Sequence, residues 1–267
     1  MQGRVLIIAG SDSGGGAGIQ ADIKVVTALG GFAMTAITAL TAQNTEGVHG
    51  IHEVPPDFVR DQIKVVLQDI GADCIKTGML HRSGVIDVVM DAVAEFAPDV
   101  PLVADPVMVA KGGASLLDED AVASVRNRVL PRASLITPNA PEAAVLAERT
   151  LEEASDMEAV GQALLTLGPR AVLMKGGHVD MQGSQVRDVL MQQGGENHAF
   201  TSERIDTRHT HGTGCTLASA VACGLAQGMD MPSAVSRGRD YVLEAIRTAP
   251  GYGKGHGPLN HGHTINS

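Results

Sequence analysis

The sequence predicts an α/β fold: a central, mostly parallel sheet with helices on both faces and a small β lid. Three observations predict it. Short apolar runs at Arg4–Ala9 (RVLIIA), Cys74–Thr77 (CIKT), Pro101–Ala104 (PLVA) and Arg170–Lys175 (RAVLMK) read as buried strands. Segments of helical periodicity separate them, and that alternation marks a parallel sheet covered on both sides. Polar clusters follow the strands, at Gly10–Gly18, Gln43–Asn44, Gly78–Met79, Asp105, Asn139–Glu142 and Lys175–His178. Ligands bind at those carboxyl ends in open α/β sheets.

The elements follow in order. After the first strand, Gly10–Gly18 (GSDSGGGAG) is a loop, and Ile19, Ile23, Val26 and Leu29 give the helix that follows an apolar side. Phe32–Leu40 alternates and is rich in Thr and Ile, as a strand would be. Val48–Val54 alternates as a half-exposed strand and is placed in the lid; Pro55-Pro56 ends it and Asp57–Asp69 reads as a helix. Helices are expected at Ser83–Phe96, Glu119–Leu130, Pro141–Glu148 and Ala154–Leu167, with a loop at Lys111–Ser115 and a strand at Ser134–Thr137. Gln185–Met191 and Asn197–Thr201 form a hairpin through Gly194-Gly195. His209–Gln227 opens on glycines and runs into a helix, Pro232–Ala249 is a last helix, and Pro250–Ser267 is irregular. No repeat or linker divides the chain, so residues 1–267 are expected to be one domain.

Composition narrows the function. Aromatics are 2% of the chain and Trp is absent, so the core is aliphatic and platforms for stacking single-stranded nucleic acid are scarce. A net charge of -10 opposes a phosphodiester partner, although local backbone dipoles can still hold a small anion. The three cysteines, Cys74, Cys215 and Cys223, form no CxxC pair, which argues against a disulfide framework or zinc cluster. No apolar run is long enough to span a bilayer, and the opening segment is too short for a signal peptide. The expectation is a soluble cytoplasmic protein.

The stretch with most chemistry is Gly212-Thr213-Gly214-Cys215, at the start of a helix. Unpaired N–H groups, close backbone approach and the helix dipole together make an anion site. A thiol there is expected to be acidified. The first glycine loop is neither a dinucleotide fingerprint nor a Walker loop, because Ile19 takes the third glycine position and no Gly-Lys-Ser/Thr occurs. Asp105 follows a buried strand, where a carboxylate could hold hydrated magnesium against phosphates. Lys175 could offer a point charge to phosphate. Gln43 can match an aminopyrimidine edge with one amide. Glu142 is suited to the first turn of a helix, and Met79 to an apolar pocket wall. His209, His211, His261 and His263 lack metal-site spacing and read as structural or tail residues.

Taken in order, AGSDSGGGAGIQADIK (9–24), TALTAQNT (38–45), KTGML (76–80), DPVMVAKGGASLL (105–117), TPNAPEA (137–143), KGGH (175–178) and HGTGCTLASA (211–220) closely resemble the hydroxymethylpyrimidine/phosphomethylpyrimidine kinases of thiamine biosynthesis. Those enzymes belong to the ribokinase-like superfamily, whose fold agrees with the strand and helix order above. The resemblance implies phosphorylation of 4-amino-5-hydroxymethyl-2-methylpyrimidine and then of its monophosphate, with ATP and Mg2+. It implies that Gln43 binds the aminopyrimidine, while Gly10, Ala17, Asp22, Met79 and Val107 line its pocket. It assigns Gly212, Thr213, Gly214 and Cys215 to the anion hole, with Cys215 where many superfamily members place a base. Asn139 and Glu142 match an Asn-x-x-Glu element for magnesium and phosphates, and Lys175 is expected to reach the ATP phosphates. The resemblance also implies a homo-oligomer, expected to be a dimer. Two other classes of function are a cysteine acyl-transfer enzyme using Cys215 with His209 or His211, and a binding module without turnover. Pyridoxal kinase activity is the nearest rival, because pyridoxal is also a flat ring with a hydroxymethyl group.

Overall fold

A nine-stranded sheet carries the molecule, in the order β3-β2-β1-β4-β5-β6-β7-β8-β9. The computed structural model describes residues 2–108, 119–151, 153, 156–179 and 183–265. The expected Lys111–Ser115 loop lies outside the described residues, as does the expected start of a helix at Ala154. The strands are β1 (Arg4–Asp12), β2 (Phe32–Asn44), β3 (Gly47–Glu53), β4 (Cys74–Thr77), β5 (Leu102–Ala104), β6 (Leu135–Ile136), β7 (Ala171–Met174), β8 (Gln185–Gln192) and β9 (His198–Glu203). Strands β2, β1, β4, β5, β6 and β7 are parallel neighbours. The edges are antiparallel: β3 hairpins onto β2, and β8 and β9 extend the other side.

The helices are α1 (Gly18–Ala28), α2 (Pro56–Asp69), α3 (Ser83–Phe96), α4 (Glu119–Ser124), α5 (Ala140–Ala147), α6 (Asp156–Leu165), α7 (Thr213–Ala226) and α8 (Met231–Arg247). Alternation along β1 sorts them into two layers. Leu6 and Ile8 pack with residues of α2 to α6, whereas Val5, Ile7 and Ala9 pack with α1, α7 and α8. Helix starts follow local chemistry. The Asp230 side chain accepts from Ser233 N at 2.8 Å to start α8, and Pro56 opens α2.

Three elements differ from the expectation. Strand β1 runs on through Gly10 and Ser11 to Asp12, so the glycine loop begins at Ser13. Strand β2 reaches Asn44, which puts Gln43 on a strand rather than in a loop. The β2–β3 register shifts between Ala42 and Gln43, and such a bulge re-aims side chains. The helix expected over Glu119–Leu130 keeps α geometry only to Ser124; a π turn and a 3-10 turn containing Pro131 complete it. Proline has no N–H to continue an α ladder. The tail has no regular element, as expected, yet it is tied down: Asn260 N donates to Ala245 O at 3.0 Å and Tyr241 Oη donates to His261 O at 2.5 Å. Among the described residues no helix is long and apolar enough to cross a membrane.

Candidate active site

The carboxyl ends of β1, β2, β4, β5, β6 and β7 converge with the N-terminus of α7. Asp12 organises one side. Its carboxylate accepts from the backbone N–H groups of Gly14, Gly16 and Ala17 at 2.8, 3.1 and 2.9 Å. His211 Nε2 adds a fourth contact at 2.8 Å. Burial pushes the Asp12 carboxyl up, but His211 and the loop N–H groups outweigh it and hold it below the ordinary carboxylate range.

The Gly212–Cys215 turn is pressed against this loop. Gly212 has φ 85°, and a Cβ there would come within 1.8 Å of Gly16 O, so both the backbone and the contact demand glycine. A Cβ on Gly214 would lie 3.2 Å from Lys175 Nζ and 3.3 Å from Asp105 Oδ2. Thr213 Oγ1 donates to Thr210 O at 2.7 Å, and no side chain caps α7. Cys215 is half-buried at this turn. Its thiol is not acidified, which corrects the expectation. Burial pushes it up to about 12, and the nearby Lys76 charge only partly offsets that. Cys74 and Cys223 are buried, as expected.

Two lysine–aspartate pairs lie beneath the turn. Lys175 Nζ is 3.1 Å from Asp105 Oδ1, which also accepts from Thr137 Oγ1 at 2.9 Å. Burial alone would lower the Lys175 pKa, but Asp105 and Glu142 raise it, so the ammonium is retained. The second pair joins Lys76 Nζ to Asp22 Oδ2 at 2.8 Å, with both side chains 0% exposed. Ser219 Oγ donates to the other Asp22 oxygen at 2.6 Å. Asp22 therefore does not line the pocket as expected. Both its oxygens are occupied, and it supports the site from below.

Asn139 and Glu142 form a capping box at the start of α5: Glu142 N donates to Asn139 Oδ1 at 3.0 Å, and Asn139 N to Glu142 Oε2 at 2.8 Å. The helix-start reading of Glu142 therefore holds. Its carboxyl is also buried beside Lys175 and Asp105. Burial first, then the Asp105 charge, raises it to about 7, against the opposing pull of Lys175.

The other side of the cleft is built from β1, β2 and β4. Gly10 leaves room for Met79, whose Cε would lie 2.4 Å from a Cβ at that position. Met79 is half-buried, and Thr38 Oγ1 holds its carbonyl at 2.7 Å. Half-buried Gln43 is held at its backbone N by Ser13 Oγ at 2.9 Å. Ala17 caps α1 in extended geometry, and Val107 N donates to Asp105 O at 2.8 Å. The sequence reading gave no site role to Lys76, Ser219, Asp12 or Thr137, and it read His211 as structural apart from its place as a base in the acyl-transfer alternative. A lysine inside an otherwise apolar strand was the available signal for Lys76.

A family model described as phosphomethylpyrimidine kinase matches residues 12–260. The thiamine biosynthesis bifunctional protein ThiED of Geobacter sulfurreducens is 50% identical over 260 residues, which is 97% of this chain and 52% of that protein. The chain thus spans about half the length of that relative. The hydroxymethylpyrimidine/phosphomethylpyrimidine kinase of Streptomyces coelicolor is 48% identical over 258 residues, 97% of this chain and 94% of its own. Among solved structures, an ADP complex of Bacillus subtilis pyridoxal kinase superposes with TM-score 0.90 at 31% identity, covering 100% of both chains. The sheet order, the two helical layers and the β2–β3 extension are those of the ribokinase-like fold.

Proposed function

The chain belongs to the phosphomethylpyrimidine kinase family, and we propose that it phosphorylates 4-amino-5-hydroxymethyl-2-methylpyrimidine and then the resulting monophosphate, using ATP. The observation that carries this is the meeting of Gln43 and Met79 on one side of the cleft with the Gly212–Cys215 turn, Lys175 and Asp105 on the other. Gln43 hydrogen-bonds the aminopyrimidine, and Met79, Gly10, Ala17 and Val107 shape the pocket around the ring. The hydroxymethyl oxygen faces the transferring phosphate, which the Gly212, Thr213, Gly214 and Cys215 turn receives. Phosphoryl transfer needs mainly positioning and stabilisation of charge on the equatorial oxygens. The α7 N–H groups and Lys175 supply both. The bond from the acceptor oxygen to the γ-phosphorus forms as the bond to the ADP leaving oxygen breaks.

Cys215 keeps its proton in the free protein, so it acts as a positioning group. The loose transition state needs little base, and the hydroxymethyl proton leaves to solvent late in the transfer. In the second transfer the acceptor is a phosphate oxygen that is already ionised, so no base is required. One anion turn therefore serves both steps.

Magnesium fits the residues present. Asp105 and Glu142 are hard oxygen donors, and the raised Glu142 carboxyl is one that a divalent cation would favour ionising. Among the described residues no cluster of three or more His, Cys, Asp or Glu could hold a metal alone. One or two carboxylates plus substrate phosphates is the usual magnesium arrangement. Bound there, the ion would neutralise charge on the β- and γ-phosphates, with Asn139 holding Glu142 in place. A single domain and a homodimer complete the proposal; Leu40 and Ile51, exposed on the β2–β3 hairpin, are apolar residues that a partner copy would cover.

The likeness to pyridoxal kinase favours one second reading, vitamin B6 phosphorylation, alone or in addition. ADP release separates the two. Wild type and Gln43→Ala are assayed with hydroxymethylpyrimidine, its monophosphate and pyridoxal as separate acceptors. Turnover of both pyrimidines, lost with Gln43→Ala, is the expected result. Turnover of pyridoxal alone would replace the substrate, and no ADP release from any acceptor would end the kinase reading.

A further inference from the structure

Recognition of an aminopyrimidine rests on the Gln43 amide, and the protons around that amide determine which way it points. Thr41 Oγ1 lies 2.9 Å from the Ser11 carbonyl oxygen and 3.1 Å from Gln43 Oε1, so it faces two acceptors. A hydroxyl has one proton, and a carbonyl can only accept it. Thr41 therefore gives its proton to Ser11 and offers Gln43 a lone pair, which calls for an NH2 group. Gln43 Nε2, the other end of the amide, lies 3.4 Å from His211 Nε2. The histidine nitrogen is 2.8 Å from Asp12 Oδ2, and an ionised carboxylate only accepts, so His211 Nε2 carries a proton. That one proton is directed to Asp12, and the positive end of the N–H dipole beside it still favours an amide oxygen over an NH2 group. Thr41 and His211 thus both favour the amide turned end for end, so that its oxygen and nitrogen exchange places.

The ring that imposes this is itself fixed. His211 is 8% exposed, and a Cβ on Gly16 would come within 2.5 Å of its Cδ2. Its backbone N donates to Gly257 O at 3.2 Å, which ties it to the tail. Asp12 is equally immobile, held by three loop N–H groups.

We infer that Asp12 and His211 form a specificity-determining pair that locks the Gln43 amide with its oxygen toward His211 and its nitrogen toward Thr41. The second lone pair and the second N–H then face the cleft as a fixed acceptor–donor edge. That edge complements an exocyclic amino group beside a ring nitrogen, and a substrate lacking the amino group leaves the Gln43 oxygen half-satisfied. The inference rests on the aminopyrimidine reading above. Asp12 and His211 act on the substrate through Gln43, so they are positioning residues.

The test is calorimetric binding of hydroxymethylpyrimidine and its 4-deamino analogue to wild type, His211→Phe, His211→Gln and Thr41→Val, with a thermal melt of each. Wild type is expected to prefer the amino compound by about tenfold or more. In His211→Phe the preference falls below about threefold, while affinity for the deamino analogue changes little. His211→Gln, which keeps an N–H toward Asp12, retains most of the preference. Thr41→Val, remote from the anion turn, loses part of it and carries the test should His211→Phe melt early. An unchanged preference in both His211→Phe and Thr41→Val would overturn the inference and leave the kinase reading intact. So would equal weakening of both ligands, because a general disturbance of the turn cannot discriminate between them. Failure of wild type to bind either pyrimidine would sink the aminopyrimidine reading, and this inference with it.

Discussion

Lys76–Asp22 and Lys175–Asp105 look alike in one dimension and differ in three. Each joins a lysine at the carboxyl end of a parallel strand to a buried aspartate, at 2.8 and 3.1 Å. The first pair is closed, with both side chains 0% exposed and Ser219 on the remaining aspartate oxygen. The second opens on the cleft, with Lys175 15% exposed and Gly214 set against both partners. A closed pair can only hold charge in place. An open one can exchange its internal partner for a phosphate or a cation. On the proposed function, the difference separates a cation that shapes the site from one that takes part in transfer.

The largest expected effect breaks the open pair. Lys175→Ala should lower kcat by about 10²- to 10³-fold, the scale of losing one preorganised charge partner. Its thermal midpoint should stay near wild type, and steady-state kinetics with a melt check both. Breaking the closed pair should reverse that balance. Lys76→Met strands Asp22 in a dry interior and should reduce unfolding free energy by about 3–5 kcal/mol. Adding Asp22→Leu should recover most of the loss, because well-packed apolar pairs replace buried ion pairs at little cost. Urea denaturation of the single and double variants reads both.

Glu142 sharpens the comparison through pH. Its carboxyl rises from 4.5 to about 7 on folding. Between those values the folded chain holds a proton that the unfolded chain has lost. Stability of the unliganded protein therefore falls as pH rises through that window and levels off above it. Glu142→Gln, which keeps an acceptor for the Asn139 N–H, should flatten this slope in melts between pH 4.5 and 7.5 relative to wild type. The smallest effect is an absence of activation. With its thiol raised to about 12, Cys215 should react with iodoacetamide at pH 8 more slowly than a free thiol, monitored by intact mass. Faster reaction would restore the thiolate base.

Much of the fold was legible because apolar strands and amphipathic helices alternate along the chain. Where the reading slipped, local pattern lost to tertiary pairing. Polar Gln43 and Asn44 looked like loop residues, but pairing with Gly47 and Val48 keeps them in β2. Asp12 looked like part of a flexible loop, yet it ends β1 and gathers the glycines around its carboxylate. In the site, glycines and strand-end polar residues were readable because their chemistry is local. Partnerships across the sheet were not. Nothing near Asp22 in sequence foretells Lys76, which lies 54 residues away, or Ser219, 197 away. The Cys215 expectation failed for a related reason: a helix N-terminus acidifies a thiol only where burial does not cost more.

The most direct test of the central claim, that one cleft carries out both transfers, is a ³¹P NMR time course with hydroxymethylpyrimidine and excess magnesium-ATP. The account predicts a phosphomonoester signal that rises and is then replaced by the paired signals of the pyrimidine diphosphate. A monoester that persists without conversion would contradict the two-step use of the anion turn, and no phosphorylated pyrimidine of either kind would contradict the kinase assignment.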